Sequence, residues 1–326
     1  MSTADSAPAA GVTLPVSDTG LPAREHPARI YARALLHDKV TLFSAIFLIL
    51  MIFCALFAPL VSPFAPEAQS LMLRNQPPMT ADVNGGAIPH ILGTDQLGRD
   101  LLTRLLYGAR ISLAVGFAGA IFSGVVGIVL GLIAGYYRGF VDDIIMRLVD
   151  TQMGFPSLMT ALLVLYVLGP GMWKVILVLA VTRWMVYARI TRSLVLSLRE
   201  EVFVEAARTL GCPDHRILFR HIMPNLLSPL LVLLTLEVAT MILTEASLSF
   251  LGLGIQPPES SWGLMLAQGR AYIVTAWWLV TFPGLIILLT ALSLNLVATW
   301  ARAVTDPVTR WRYLSGSRPK AEEDEG

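Results

Sequence analysis

Long apolar runs separated by short polar segments dominate the chain, and their lengths predict membrane-spanning helices. The first run, 40–61, carries no charge and reaches the roughly 20 helical residues that a bilayer core requires. Further apolar runs occupy 111–136, the stretch that ends at 168, 173–195, 225–251 and 276–297. Six such runs predict an all-α membrane protein with six transmembrane helices.

The polar segments divide the chain into regions. In order these are a basic, disordered cytoplasmic tail (1–39), the first transmembrane helix (40–61), an external segment (62–110), a five-helix core (111–301) and a cytoplasmic C-terminal tail (302–326). Asn84-Gly85-Gly86 is a turn signal within the external segment. Near the end of that segment, Leu97, Leu101 and Leu105 share one helical face, which predicts a helix lying along the membrane surface.

The distribution of positive charge predicts the orientation of the chain. Arg24, Arg29, Arg33 and Lys39 directly precede the first apolar run. With both termini inside, 18 of the 24 lysines and arginines fall on the cytoplasmic side. Because cytoplasmic loops of membrane proteins carry such an excess, both termini are expected in the cytoplasm.

Two of the spans carry residues that predict their packing and shape. Small residues recur every four positions along the second span: Gly119, Ser123, Gly127, Gly131 and Gly135. Small side chains on one face let helix backbones approach closely, so this helix is expected to pack at the middle of the bundle. Pro156 predicts a kink in the third span, because its ring cannot continue a regular helix.

Composition agrees with a membrane location. Hydrophobic residues make up 55% of the chain and charged residues 14%, whereas soluble domains carry about 25% charge. The net charge of +1 gives no basic footprint for nucleic acid. Of the two cysteines, Cys54 lies in a predicted membrane helix and Cys212 in a polar turn, so no disulfide is expected between them.

The longest charged interruption in the last two-thirds of the chain is the segment 199–225, called the elbow here. Its first part, 200–210, has apolar residues at helical spacing, with charges on the other side. Gly211 can supply the left-handed conformation that ends a helix. Pro213 suits the first position of a second helix, and Asp214 in that first turn favours the positive end of its dipole. The elbow is therefore predicted to be helix, turn, helix.

The elbow resembles the EAA loop of the membrane subunits of ATP-binding-cassette importers. Glu205-Ala206-Ala207, then Gly211 and then Pro224 match the spacing of that pattern throughout. His221 and Met223 stand where the pattern has Ile and Leu, although a His-x-Leu-Pro-Asn ending is familiar in the peptide and nickel branch.

A second resemblance points to the same branch. Residues 90–100, His-Ile-Leu-Gly-Thr-Asp-Gln-Leu-Gly-Arg-Asp, closely resemble the signature of the C-type subunit of dipeptide, oligopeptide and nickel importers. Residues 248–258 and Phe282-Pro283-Gly284 resemble further signatures of that family. The resemblance to this family spans nearly the whole chain, from residue 40 to residue 307. For the segment 90–113 we expect a structural entry helix rather than a substrate site.

This resemblance implies a type I importer permease fold with a cytoplasmic coupling helix, in the inner membrane of a bacterium. It implies a second, similar permease subunit, two ATP-binding subunits and an external solute-binding protein as partners. The chain has no Gly-x-x-x-x-Gly-Lys-Ser/Thr motif, so ATP and Mg²⁺ are expected on the partner ATPases and no cofactor on this chain. The expected function is uptake of di- or oligopeptides, with nickel complexes or opines as alternatives.

Within the elbow, the resemblance assigns the contact with the ATPase. Ala206 and Ala207 would allow close seating in a groove of the ATPase, and Glu205 would bond a partner cation or amide. Gly211 would provide the turn, and Pro224 completes the pattern. No catalytic or metal-binding constellation is readable in the sequence, so the chain is expected not to be an enzyme.

Glu237 is an unusual residue because it lies near the middle of the fifth span. A carboxylate facing lipid there would cost on the order of 3 kcal/mol, so the side chain should face the bundle interior or be protonated. Two interpretations stay open: a hydrogen-bond partner between helices, or a residue of the translocation pathway. Asp150 and Glu245 lie nearer the predicted helix ends, where structural roles at the interface are expected.

Two functions from other classes are consistent with a six-helix membrane protein. An ion-coupled secondary transporter would work without an ATPase, and the elbow argues against it. A membrane scaffold would transport nothing and would keep its function after Gly211 is replaced.

Overall fold

The structure, a computed structural model, describes residues 35–36, 38–81 and 88–305, and no β-strand forms among them. Most of the predicted N-terminal tail, the 84–86 turn and 306–326 of the C-terminal tail lie outside these residues. The α-helices are α1 (Lys39–Leu56), α2 (Ala58–Val61), α3 (Leu101–Tyr137), α4 (Gly139–Met153), α5 (Ser157–Leu168), α6 (Met172–Leu198), α7 (Val202–Thr209), α8 (Asp214–Arg216), α9 (Met223–Phe250), α10 (Trp262–Gly269) and α11 (Trp278–Thr305). The all-α prediction is confirmed for the described residues.

Four helical units in the described residues are long and apolar enough to span a membrane: α1, α3, α8 with α9, and α11. The pair α4 and α5 counts as a fifth if it is one span, and its two halves meet at an angle of 87°. The fourth predicted run, 173–195, lies in α6, whose 27 residues give a length of about 40 Å. Its four basic side chains make α6 less apolar than the others: Lys174, Arg183, Arg189 and Arg192.

The separate surface helix predicted before the second span does not form. Residues 101–110 are instead the first turns of α3, which continues to Tyr137 without a break. The Asp100 carboxylate caps this helix by accepting a hydrogen bond from the Thr103 amide at 2.7 Å. Leu101 and Leu105 are buried in the protein, whereas a surface helix would turn them toward lipid.

The chain turns sharply at two places between helices α3 and α5. The connection between α3 and α4 is the single residue Arg138, which adopts a positive φ of 56°. The kink predicted at Pro156 is the 87° bend between α4 and α5. The chain therefore turns within a few residues at both places.

Helices α3 and α6 pack along most of their length, and the glycines of α3 permit this contact. A Cβ atom on Gly131 would lie 2.5 Å from the Ala188 carbonyl oxygen, and one on Gly135 would lie 2.8 Å from Val195 Cβ. Backbones this close exclude any larger residue. The small-residue face of the second span is thus confirmed as a packing face, with α6 as its partner.

The end of the bundle at which α3 and α6 begin is called the far end, and the end that carries the elbow is the elbow end. At the far end, the Trp278 indole donates to the Thr94 carbonyl at 3.2 Å, and the Trp262 indole donates to the Leu105 carbonyl at 3.1 Å. His90 bonds the Asp100 carboxylate at 2.9 Å. The Trp278 and His90 bonds hold the 90–100 segment against α11 and the start of α3.

Candidate functional site

The elbow has the predicted order of helix, turn and helix. α7 ends at Thr209, and Gly211 follows with a φ of +76°. The Cys212 amide donates to the Ala207 carbonyl at 3.1 Å, and the Gly211 amide donates to the Arg208 carbonyl at 3.0 Å. This pair of bonds is the Schellman motif, which satisfies the last carbonyls of a helix and requires a left-handed residue.

The second half of the elbow differs in one detail from the prediction. Pro213 precedes the helix in an extended conformation instead of occupying its first position, and Asp214 is the first residue of α8. A π-helical segment, Ile217–Ile222, then leads directly into α9. Pro224 is the second residue of α9.

α7 has one buried face and one exposed face. Val204 and Ala207 are buried in a cluster formed by the π-helical segment and side chains from the elbow ends of α3, α6 and α9. The exposed face includes three large apolar side chains, since Val202 is 79%, Phe203 41% and Leu210 83% exposed. Glu205, Ala206 and Gly211 are also exposed, so of the predicted alanine pair only Ala207 faces the protein.

Tyr136, at the end of α3, links that helix to the elbow. Its hydroxyl donates to the Asp214 carboxylate at 2.6 Å, and Arg199 donates to its backbone carbonyl. The guanidinium groups of Arg199 and Arg208 lie 5.8 Å and 6.0 Å from the centre of its ring, within the range of cation–π attraction. Sequence reasoning missed this residue, because nothing local distinguishes Tyr136 from its neighbour Tyr137.

A second link between α3 and the elbow is an exposed ion pair. Arg138 donates to the Glu200 carboxylate at 2.5 Å. This hydrogen bond with the Arg138 guanidinium holds the pKa of Glu200 below its ordinary value. Because α3 meets the elbow at both Tyr136 and Arg138, a displacement of α7 would act directly on the end of α3.

Glu237 lies in α9 and is 5% exposed. Both of its carboxylate oxygens accept hydrogen bonds from Arg183 of α6, at 2.7 Å and 2.9 Å. Bidentate arginine–carboxylate pairs are among the strongest hydrogen-bonded contacts in proteins. The side chain therefore faces the bundle interior, as predicted, but it is paired with a cation that the sequence alone did not reveal.

The other two acidic residues of the spans occupy different surroundings. Asp150 accepts from Arg189 in an exposed pair. Glu245 is fully buried, and the hydroxyls of Ser249 and Ser112 donate to its carboxylate at 2.7 Å and 3.3 Å. The interfacial role expected of Glu245 is therefore wrong, because serines of α3 and α9 enclose this carboxyl within the protein.

Comparison with known proteins identifies the family. The profile of the binding-protein-dependent transport system inner membrane component matches residues 127–311. The profile of the N-terminal transmembrane domain of oligopeptide transport permease C matches residues 27–78. This chain belongs to the binding-protein-dependent transport permeases. It is thus a membrane component of a transport system rather than an enzyme, and it has the type I permease fold.

Individual relatives in this family cover most of the chain. The di/tripeptide transport system permease protein DppC of Pseudomonas aeruginosa is 41% identical over 90% of this chain and 96% of its own. The dipeptide permease DppC of Alkalihalophilus pseudofirmus is 39% identical over 86% of this chain and 90% of its own. A glutathione transport permease, GsiD of Pectobacterium atrosepticum, is also 39% identical, over 86% of this chain.

A weaker match comes from a solved structure. It is a MetNI methionine ABC transporter with inward-facing conformations, and its matched chain is 17% identical with a TM-score of 0.49. The likeness covers 61% of this chain and 95% of that one.

Proposed function

We propose that this chain forms half of the translocation pathway of an ATP-driven importer of di- or oligopeptides. The observation that carries the proposal is the elbow, a capped helix with an exposed apolar face joined to three long helices, in a chain about 40% identical to peptide permeases. A permease of this family works with ATPase and solute-binding partners.

The elbow is the contact with the ATPase in this proposal. Val202, Phe203 and Leu210 supply the apolar surface that a groove of the partner would cover, because exposed patches of this kind mark interaction sites. Glu205 bonds a cation or amide of the partner, and Ala206 permits close approach. When the ATPases close around ATP and Mg²⁺, α7 moves with them and transmits the movement to α3, α6 and α9.

The full assembly in this proposal has a second, similar permease subunit, two ATPases and an external solute-binding protein. The chain lies in the bacterial inner membrane with both termini and the elbow in the cytoplasm. The arrangement of cations supports this orientation, because Arg199, Arg208, Arg216 and Arg220 all cluster in the elbow.

Uptake by the complete complex in proteoliposomes tests the proposal. A labelled dipeptide, delivered by the loaded binding protein, should accumulate when ATP is present on the elbow side and should not accumulate without ATP. Accumulation driven by a proton gradient in the absence of ATP would identify an ion-coupled transporter instead. Uptake of a nickel complex or an opine, without uptake of any peptide, would show that this chain serves another branch of the family.

A further inference from the structure

A cavity of about 930 Å³ opens at the far end of the bundle. One wall is a face of α3 that includes Tyr107 and Ala114, and Met172 at the start of α6 lies beside it. Residues 66–69 and 257–260 form the rim. Because the 37 residues of α3 extend about 55 Å, the cavity lies at the opposite end of the bundle from the elbow.

The α3 side of this cavity carries excess positive charge. Arg99 and Arg104 both donate to the same oxygen of Asp95, at 2.7 Å and 2.6 Å. Because the single negative charge of Asp95 pairs with two guanidinium groups, one positive charge is left unbalanced. Arg104 is buried and is also bonded to Gln268 at 3.1 Å, so its role is to hold this wall in place.

Arg110 adds a second cation, and its surroundings differ from those of Arg104. It is exposed on the cavity wall, and within the described residues it forms no ion pair or side-chain hydrogen bond. A guanidinium offers five N–H donors and can grip a carboxylate through two of them.

The rim of the cavity carries the opposite charge. Glu67 and Glu259 are both exposed there, and neither forms an ion pair with another described residue. Ile111 and Met172 add apolar side chains to the lining. A ligand with one anionic end, one cationic end and apolar side chains would complement all three parts of the cavity.

We propose that this cavity binds a short zwitterionic peptide as it leaves the solute-binding protein, with the peptide's terminal carboxylate on Arg110. The peptide's amino group then lies toward Glu67 and Glu259. The volume falls within the range of about 300–1,000 Å³ that is usual for small-molecule sites. This inference rests on the proposed function and adds a substrate site to it.

Variants of Arg110 test the site by transport. In proteoliposomes that hold the complete complex, Arg110→Gln should lower the initial rate of dipeptide uptake about tenfold, since a charge-assisted bidentate contact is lost. Arg110→Lys keeps the charge and should retain a larger share of the rate. Arg270→Gln is the matched control, because Arg270 is an exposed far-end arginine that does not line the cavity.

A second measurement does not depend on an Arg110 variant. With Cys54 and Cys212 replaced by serine, a single cysteine at Ala114 should react with an impermeant thiol reagent added at the far end. Binding protein loaded with dipeptide should slow this reaction about fivefold or more, and the unloaded binding protein should not. A cysteine at Val274, which is 93% exposed, controls for shielding by the docked protein.

The results of these experiments distinguish failure of the proposed peptide site from failure of the proposed function. Equal slowing by loaded and unloaded binding protein would show that a loop of that protein fills the cavity, and it would overturn the peptide site. Normal uptake by Arg110→Gln, or no slowing at position 114, would also overturn it while leaving peptide import intact. Absence of any peptide uptake by the wild-type complex would instead refute the proposed function.

Discussion

Arg183 and Glu237 place opposite charges inside the bundle, between α6 and α9. Because both carboxylate oxygens are bound, we expect Glu237 to act as a fixed partner rather than a residue of the pathway. Removing one member leaves the other charge unpaired, which typically costs about 3–5 kcal/mol. Glu237→Leu and Arg183→Leu should each lower the melting temperature of the purified complex, and the double variant should recover part of the loss.

The matched control is the exposed pair of Arg189 with Asp150. Arg189→Gln should change the stability by less than about 1 kcal/mol, because exposed ion pairs contribute little. Glu237→Gln tests the alternative, a role in the translocation pathway, since it keeps the shape of the side chain and removes its charge. Normal stability with lost uptake in this variant would place Glu237 in the pathway after all.

The sequence identified Glu237 because an acidic residue in an apolar run is conspicuous. It did not identify Arg183 as its partner, since 54 residues separate the two and only the packing of α6 against α9 joins them. The position of Glu245 was also not predictable from the sequence, because it depends on which side chains the fold buries. Its position near a helix end suggested the interface, but Ser112 and Ser249 enclose it.

At the scale of elements, the contact of α3 with α6 depends on glycine. Gly131→Ala should destabilise the protein by about 1–3 kcal/mol, because the added Cβ would lie 2.5 Å from the Ala188 carbonyl oxygen. Gly119→Ala is the control on the same helix, since its Cβ would meet no atom closer than 3.4 Å. Thermal unfolding in detergent measures the difference, and equal melting temperatures would contradict this packing.

Elements defined by local signals were predictable. Gly211 permits a left-handed backbone because it lacks a Cβ, whereas the ring of Pro156 restricts its own φ. Both breaks appear where the sequence placed them. The early start of α3 was not predictable, because an arginine at position 104 suggests an exposed surface. In the fold, Arg104 is buried and donates a hydrogen bond to Asp95. The sequence thus reveals breaks in helices better than it reveals which charges the fold will bury.

At the scale of the whole molecule, we propose that the elbow lies in the cytoplasm and the cavity lies outside. Single cysteines at Gln69 and His215 test this orientation, because both residues are exposed and lie at opposite ends of the bundle. In intact cells, an impermeant thiol reagent should label position 69 and should label position 215 only after lysis. Labelling of position 215 from outside would reverse the proposed topology.

We propose that the elbow couples ATP hydrolysis to transport, and substitution of Gly211 tests this coupling most directly. A side chain at its φ of +76° costs about 1–2 kcal/mol, yet no atom lies within 4 Å of the added Cβ, so the fold should survive. Asn tolerates this conformation better than Val does, which makes Gly211→Asn the matched control.

The measurement is ATP-dependent peptide uptake by reconstituted complexes, with retention of the ATPase on the purified permease recorded in parallel. Gly211→Val and Glu205→Lys should insert normally but bind the ATPase less tightly and lose at least about nine-tenths of uptake, whereas Gly211→Asn should keep most of it. Uptake at the wild-type rate by both Gly211→Val and Glu205→Lys would contradict the claim that the elbow couples ATP to transport.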